Sequence, residues 1–180
     1  MTALLLDVGN TRIKWGVLDG GDIRRTGHIA QSRIREKGLQ VLTTKIPRRV
    51  EEVFVSNVAG TSFATRLSGV VGAHCACDVR FARSERSGWG VSNGYTQARR
   101  MGVDRWVAMV GAWAEVQAAC LVVDAGTAVT LDAIDNNGRH LGGQIVAGVA
   151  TMADALAAAT SDIPQVKPAT GRSAADLGMF

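Results

Sequence analysis

Two short stretches set acids, glycines and hydroxyls where phosphate chemistry would need them. Asp7-Val8-Gly9-Asn10-Thr11 follows the apolar run Leu4-Leu5-Leu6, and Asp124-Ala125-Gly126-Thr127 follows Leu121-Val122-Val123. In each, the glycine permits a tight turn and a close backbone approach. Backbone N–H groups and the threonine hydroxyl can then face phosphate oxygens. A carboxylate does not attract phosphate. It fits such a site by holding Mg²⁺ or another cation, or a water bound to one. Asp7 and Asp124 would be the paired acids, and Lys14 and Arg12 could add positive charge. A single turn of this kind is equally an ordinary hairpin, because Asp-Gly and Gly-Asn are common turn residues. Two in one chain favour the phosphate reading.

The likeness of the two stretches extends further. Laid on Leu121 to Asp135, the segment from Leu4 matches through the Asp-x-Gly turn, skips Asn10, sets Thr11 on Thr127, and ends with Val17-Leu18-Asp19 on Ala133-Ile134-Asp135. This echo predicts two related halves, each opening with a strand, a turn and a returning strand. A third acid, Asp104, follows Gly102-Val103 and precedes Arg105. An acid there is common in the first turn of a helix, where the helix field favours it. An ionised carboxylate is also what a general base requires, and Arg105 beside it could bind an anionic oxygen.

The elements that must position these residues alternate along the chain. Strands are expected over residues 4–6, 13–18, 23–29, 53–55, 77–81 and 121–123, and helices over residues 32–42 and 61–69. Residues 83–95, rich in Gly, Ser and Asn, read as a loop. Val103, Trp106, Val107, Val110 and Trp113 or Ala114 recur at helical spacing and predict one buried helix face. Alternating strands and helices argue for an α/β fold, with parallel pairs at the centre and antiparallel hairpins beside them.

The chain has 180 residues, 47% of them hydrophobic, and a formal charge of +4. That composition fits a protein of one or two small domains with a real core. The basic residues are dispersed, which argues against nucleic acid as a partner. The apolar window from Trp106 to Val123 contains Glu115 and Gln117, which argues against a membrane span. Three cysteines, Cys75, Cys77 and Cys120, are odd in number and irregular in spacing, so a reducing, cytoplasmic setting is expected. His74-Cys75-Ala76-Cys77 lacks a second ligand pair for a metal and reads as a strand with small thiols.

Taken in order, these motifs resemble those of the type III pantothenate kinases. The resemblance rests on Asp7-Val8-Gly9-Asn10-Thr11, Gly102-Val103-Asp104-Arg105, Asp124-Ala125-Gly126-Thr127-Ala128-Val129-Thr130, and Gly142-Gly143-Gln144-Ile145 with Gly148. It implies an actin-like ATPase fold: two RNase-H-like halves around an ATP cleft, the first over residues 1–118 and the second begun over residues 119–180. It implies ATP-dependent phosphorylation of pantothenate to 4'-phosphopantothenate, the first step towards coenzyme A. Asp104 would accept the hydroxyl proton. Asp7, Val8, Gly9, Asn10, Thr11, Arg12, Ile13 and Lys14 would form the first ATP loop, and Gly126 and Thr127 the second. Tyr95, Gly102, Val103, Asp104 and Arg105 would border pantothenate. Asp124 would help bind a monovalent cation, K⁺ or NH₄⁺, and Asp7 would hold Mg²⁺ through water. A homodimer is implied as well.

Three features depart from the family pattern. Relatives run on for further elements that complete the second half, whose absence would leave a sheet edge and apolar surface uncovered. Gly171-Arg172-Ser173-Ala174 has alanine where the family often has a threonine near pantothenate, and Ala147 stands where proline often precedes the glycine. These departures leave a second reading open: a non-catalytic nucleotide-binding or regulatory protein of the same fold, or a truncated, inactive kinase.

Overall fold

A computed structural model of the chain describes residues 1–161; Gly171, Ser173 and Ala174 lie outside the described residues. Strands β1 (Thr2–Val8), β2 (Arg12–Asp19) and β3 (Asp22–Ala30) form an antiparallel meander. Helix α1 (Gln31–Lys37) follows, then strand β4 (Glu52–Asn57), helix α2 (Thr61–Cys75) and strand β5 (Val79–Phe81). The sheet order is β3-β2-β1-β4-β5, with β4 parallel to both β1 and β5. This is the expected mixture of antiparallel hairpins and a parallel centre.

Alternation along β1 decides what each residue does. Leu4, Leu6 and Val8 are buried in one core with Ile34 of α1, Leu67 and Val71 of α2, and Ile13 of β2. Leu5 and Asp7 point to the opposite face and line a cleft. Asp7 therefore does not interrupt the core strand; it belongs to the strand's other side.

Strands β6 (Ser87–Gly88) and β7 (Val91–Ser92) form a small hairpin inside the segment expected to be a loop. Helix α3 (Val103–Val116) leads to β8 (Cys120–Ala125), β9 (Ala128–Ile134) and β10 (His140–Ala147), an antiparallel sheet, and then to helix α4 (Val149–Ala159). Helix α3 touches β4 of the first sheet and both β8 and β9 of the second. Its Trp106 and Met109 form a second core with Val91, Met101 and Ile134.

The sequence echo is a structural repeat, matched pair by pair. Leu4 faces Val17 and Asp7 faces Lys14 in the first hairpin; Leu121 faces Ala133 and Asp124 faces Thr130 in the second. The repeat also reaches the third strand. The Gln31 N–H donates to the Thr11 carbonyl at 2.8 Å, and the Gly148 N–H donates to the Thr127 carbonyl at 2.9 Å. Packing is where the copies differ. Leu4 is 0% exposed but Leu121 is 59% exposed, and Leu6 is 3% exposed against 53% for Val123. In the first copy β4 and the helices cover those positions.

Several local expectations need correction. Residues 32–42 are not one helix: Gly38, at φ 81°, ends α1 and a 3-10 turn follows over Leu39–Thr44. His74 and Cys75 end helix α2 rather than forming a strand, and Ala76 closes it in the left-handed conformation. On α3 the buried face centres on Arg105, Trp106 and Met109, whereas Val107 is exposed and lines the cleft. Trp106, Val110 and Trp113 of the expected face do pack in the second core; Arg105, paired with Asp132, is buried beside them instead of Val107.

Candidate active site

The two turns meet. The Thr11 and Thr127 hydroxyls are 2.6 Å apart, so the opening hairpins of the two copies touch tip to tip. In the first turn the Gly9 N–H donates to the Arg12 carbonyl at 3.1 Å; in the second the Gly126 N–H donates to the Ala128 carbonyl at 2.9 Å. The side-chain amide of Gln31 also donates to the Gly9 carbonyl at 2.9 Å. At the matching place in the second copy stands Gly148, where an added Cβ would run into the Gly126 carbonyl oxygen. The Thr151 hydroxyl donates to the Thr127 carbonyl at 2.7 Å instead.

Beside the turns lies a cleft of about 460 Å³, lined by Asp7, Asp104 and Asp124 together with Lys14, Ser56, Phe54 and Val107. The three acids arrive from three elements: the end of β1, the first turn of α3 and the end of β8. Lys14 Nζ lies 3.7 Å from Asp7 Oδ2. Partial burial pushes the Asp7 carboxyl above its ordinary value; Lys14 opposes the shift, and the negative charges of Asp104 and Asp124 add to it. The backbone N–H of Arg105 donates to Asp104 Oδ1 at 2.8 Å, which fixes the direction of that carboxylate. Gly102 precedes α3, and a Cβ there would come 2.5 Å from Asp104 Oδ1, so the carboxylate folds back over a residue without a side chain.

The crowding at Asp7 has a measurable consequence. Because its folded-state pKa is raised, Asp7 favours the fold only below its ordinary value and becomes a penalty as pH rises through the folded value. Asp7→Asn is therefore expected to raise the melting temperature at neutral pH, and the gain should shrink as pH falls from about 7 towards 3. Melting curves across that range check it; an equal gain at every pH would contradict this account.

The remaining predicted residues fall into three groups. Gly9, Asn10, Thr11, Arg12, Gly126 and Thr127 form the facing turns. Val8 and Ile13 are both 0% exposed, so they can offer a ligand only their backbone. Gly102 and Val103 start α3. Arg105 lies beside Asp104 in sequence but is directed elsewhere: its side chain is 5% exposed. Its Nε donates to Asp132 Oδ2 at 2.9 Å and its Nη2 to Asp132 Oδ1, while Nη1 donates to the Tyr95 hydroxyl at 3.0 Å. The Tyr95 ring stacks on His140 with centroids 6.1 Å apart. His140 Nε2 is 2.9 Å from Asp132 Oδ1, although neither ring nitrogen is aligned for a hydrogen bond.

Asp132, His140 and Ser56 went unread as site residues. Ser56 sits beside Asp7 in the β1–β4 ladder, with its hydroxyl buried and no hydrogen-bond partner among the described residues. Asp132 had a signal: a lone acid between Leu131 and Ala133-Ile134 in an apolar strand must be paired if buried. His140 and Ser56 carried none.

Among the described residues no group of three or more His, Cys, Asp or Glu side chains is arranged to hold a metal ion by itself. No helix there is long and apolar enough to cross a membrane.

A family model described as type III pantothenate kinase matches residues 3–178. The type III pantothenate kinase of Azoarcus sp. (strain BH72) is 38% identical over 160 residues, covering 89% of this chain and 60% of that protein. A Baf family protein from Campylobacter jejuni superposes with a TM-score of 0.55 at 20% identity, over 87% of this chain and 60% of its own. The ethanolamine utilization protein EutJ from Carboxydothermus hydrogenoformans does so with a TM-score of 0.52 at 16% identity, over 92% and 58%. At those identities the likeness carries the fold alone. The chain spans about 60% of the length of the Azoarcus relative.

Proposed function

The chain belongs to the type III pantothenate kinase family, and from that premise we propose that its cleft binds ATP and pantothenate and transfers the terminal phosphoryl group to pantothenate's primary hydroxyl. The product is 4'-phosphopantothenate, on the route to coenzyme A. The observation that supports this most is the convergence of Asp7, Asp104 and Asp124 on one cleft beneath two touching Gly-Thr turns.

Phosphoryl transfer depends on positioning and charge neutralisation more than on covalent chemistry from the protein. The two turns supply backbone N–H groups and threonine hydroxyls, which suit phosphate oxygens. Asp104 is the general base: it accepts the hydroxyl proton of pantothenate while the Arg105 N–H holds its other oxygen. Gly102 and Val103 border the acceptor, and Tyr95, whose hydroxyl the buried Arg105 guanidinium holds, is a further contact. The carboxylates of Asp7 and Asp124 are hard oxygen donors, with Lys14 3.7 Å from Asp7, so Mg²⁺ held through water at Asp7 and K⁺ or NH₄⁺ at Asp124 would supply the counter-charge the phosphates need. Two units, the first over residues 1–118 and the second beginning at residue 119, make up the kinase in this reading, and the working form is a cytoplasmic homodimer.

The test is incubation of the folded chain with γ-labelled ATP, Mg²⁺, K⁺ and pantothenate. Labelled 4'-phosphopantothenate is the expected result. ATP binding by the folded chain with no labelled product would instead favour a nucleotide-binding protein without turnover.

A further inference from the structure

The cluster around Arg105 lies behind the cleft, and nothing in the proposed chemistry uses Asp132. We infer that Asp132 is a positioning residue: it anchors the Arg105 guanidinium so that the Arg105 backbone N–H aims the Asp104 carboxylate into the cleft.

The chain of contacts is continuous. Asp132, 2% exposed on β9, receives the Arg105 fork through Nε and Nη2. A bidentate pair of this kind fixes the direction of the guanidinium as well as its place. The anchored Arg105 then does two things. Its Nη1 holds the Tyr95 hydroxyl, and its backbone N–H holds Asp104 Oδ1. One buried carboxylate of the second sheet thereby sets both the base and the tyrosine expected at the acceptor.

Gly143 is an independent sign that the chain keeps this place clear. It faces Asp132 across the β9–β10 ladder, and a Cβ on it would collide with Asp132 Oδ1, with the Leu131 carbonyl and with Arg105 Nη2. The second glycine of Gly142-Gly143-Gln144-Ile145 is thus the space in which the ion pair sits. His140 closes the cluster from the same strand, 1% exposed and 2.9 Å from Asp132 Oδ1.

The inference rests on the kinase reading for its catalytic consequence but not for its geometric one, so the experiment reads both. In Asp132→Asn the phosphoryl-transfer kcat is expected to fall on the order of 10²-fold, as for a misplacement near 1 Å. The KM for ATP should stay within about twofold, because the turns that hold ATP are untouched. In the amide NMR spectrum the Arg105 N–H resonance should move towards its position in Asp104→Ala, where its acceptor is gone. Asp19→Asn, at an exposed ion pair with Arg24, is the control and should change neither. If Asp132→Asn does not fold, Arg105→Lys keeps the buried charges balanced while losing the fork, and it should show the same kcat loss and the same shift. An Arg105 resonance that stays in place, with kcat unchanged, overturns the inference. A moved resonance in a chain that never phosphorylates pantothenate overturns the kinase reading and leaves the positioning role standing.

Discussion

Replacing Asp104 by asparagine is expected to lower phosphate transfer to pantothenate by on the order of 10²- to 10⁴-fold, the usual contribution of a general base. The fold should survive. Asparagine keeps an oxygen that can accept the Arg105 N–H at the start of α3, and it relieves repulsion that Asp7 feels from Asp104. ATP affinity should change little, because the turns are not involved. Steady-state kinetics together with melting curves check this. An Asp104→Asn protein with full activity would mean that the proton leaves by another route and that Asp104 serves only the helix start.

The second large effect is expected from Gly148→Ala, a single methyl group at the end of β10. Its Cβ would meet two backbone oxygens of the second turn, Gly126 O and, at 2.9 Å, Thr127 O. Backbone cannot rotate aside as a side chain can, so the second hairpin must shift away from the first. Overpacking of this kind costs about 1–3 kcal/mol. If the shifted turn loses that much of its contact with phosphate, ATP affinity falls by roughly tenfold or more. Calorimetric titration with ATP and thermal melting measure the two effects. Gly111→Ala in mid α3, where an added Cβ meets nothing within 4 Å, should instead stabilise by up to about 1 kcal/mol. If both substitutions behaved alike, the contact at Gly148 would not be the cause.

The parts of the site legible in the sequence were those in which chemistry and local geometry coincide. Asp7, Gly9 and Thr11, and their counterparts Asp124, Gly126 and Thr127, sit within a few residues of one another, so their spacing reports the turn directly. The echo between the hairpins exposed the repeat because strand register copies sequence offset. The burial of Arg105 on α3 was not legible. The apolar pattern favours burying Val107, yet Arg105 is buried instead, and the reason lies on a strand 27 residues away in sequence. A partner at that distance leaves no periodic trace near the helix. The break at Gly38 did carry a signal that went unread: a glycine directly after Arg35 and Lys37 is a helix-stop pattern, and Gly38 sits at φ 81°. The positive φ of Trp89, in the tight turn between Gly88 and Val91, did not, because a tryptophan is an unusual residue there.

The one-residue difference between the turns carries a consequence for the ligand. Gly9 bonds to a carbonyl three residues on, and Gly126 to a carbonyl two residues on, because Asn10 has no counterpart. Two identical hairpins meeting tip to tip would make a cradle with a two-fold axis, and a row of phosphates could lie in it either way round. The extra residue makes the two turns unlike, so in the proposed kinase a row of phosphates would meet a different grip at each end. A duplicated grip becomes a directional one by the insertion of one asparagine.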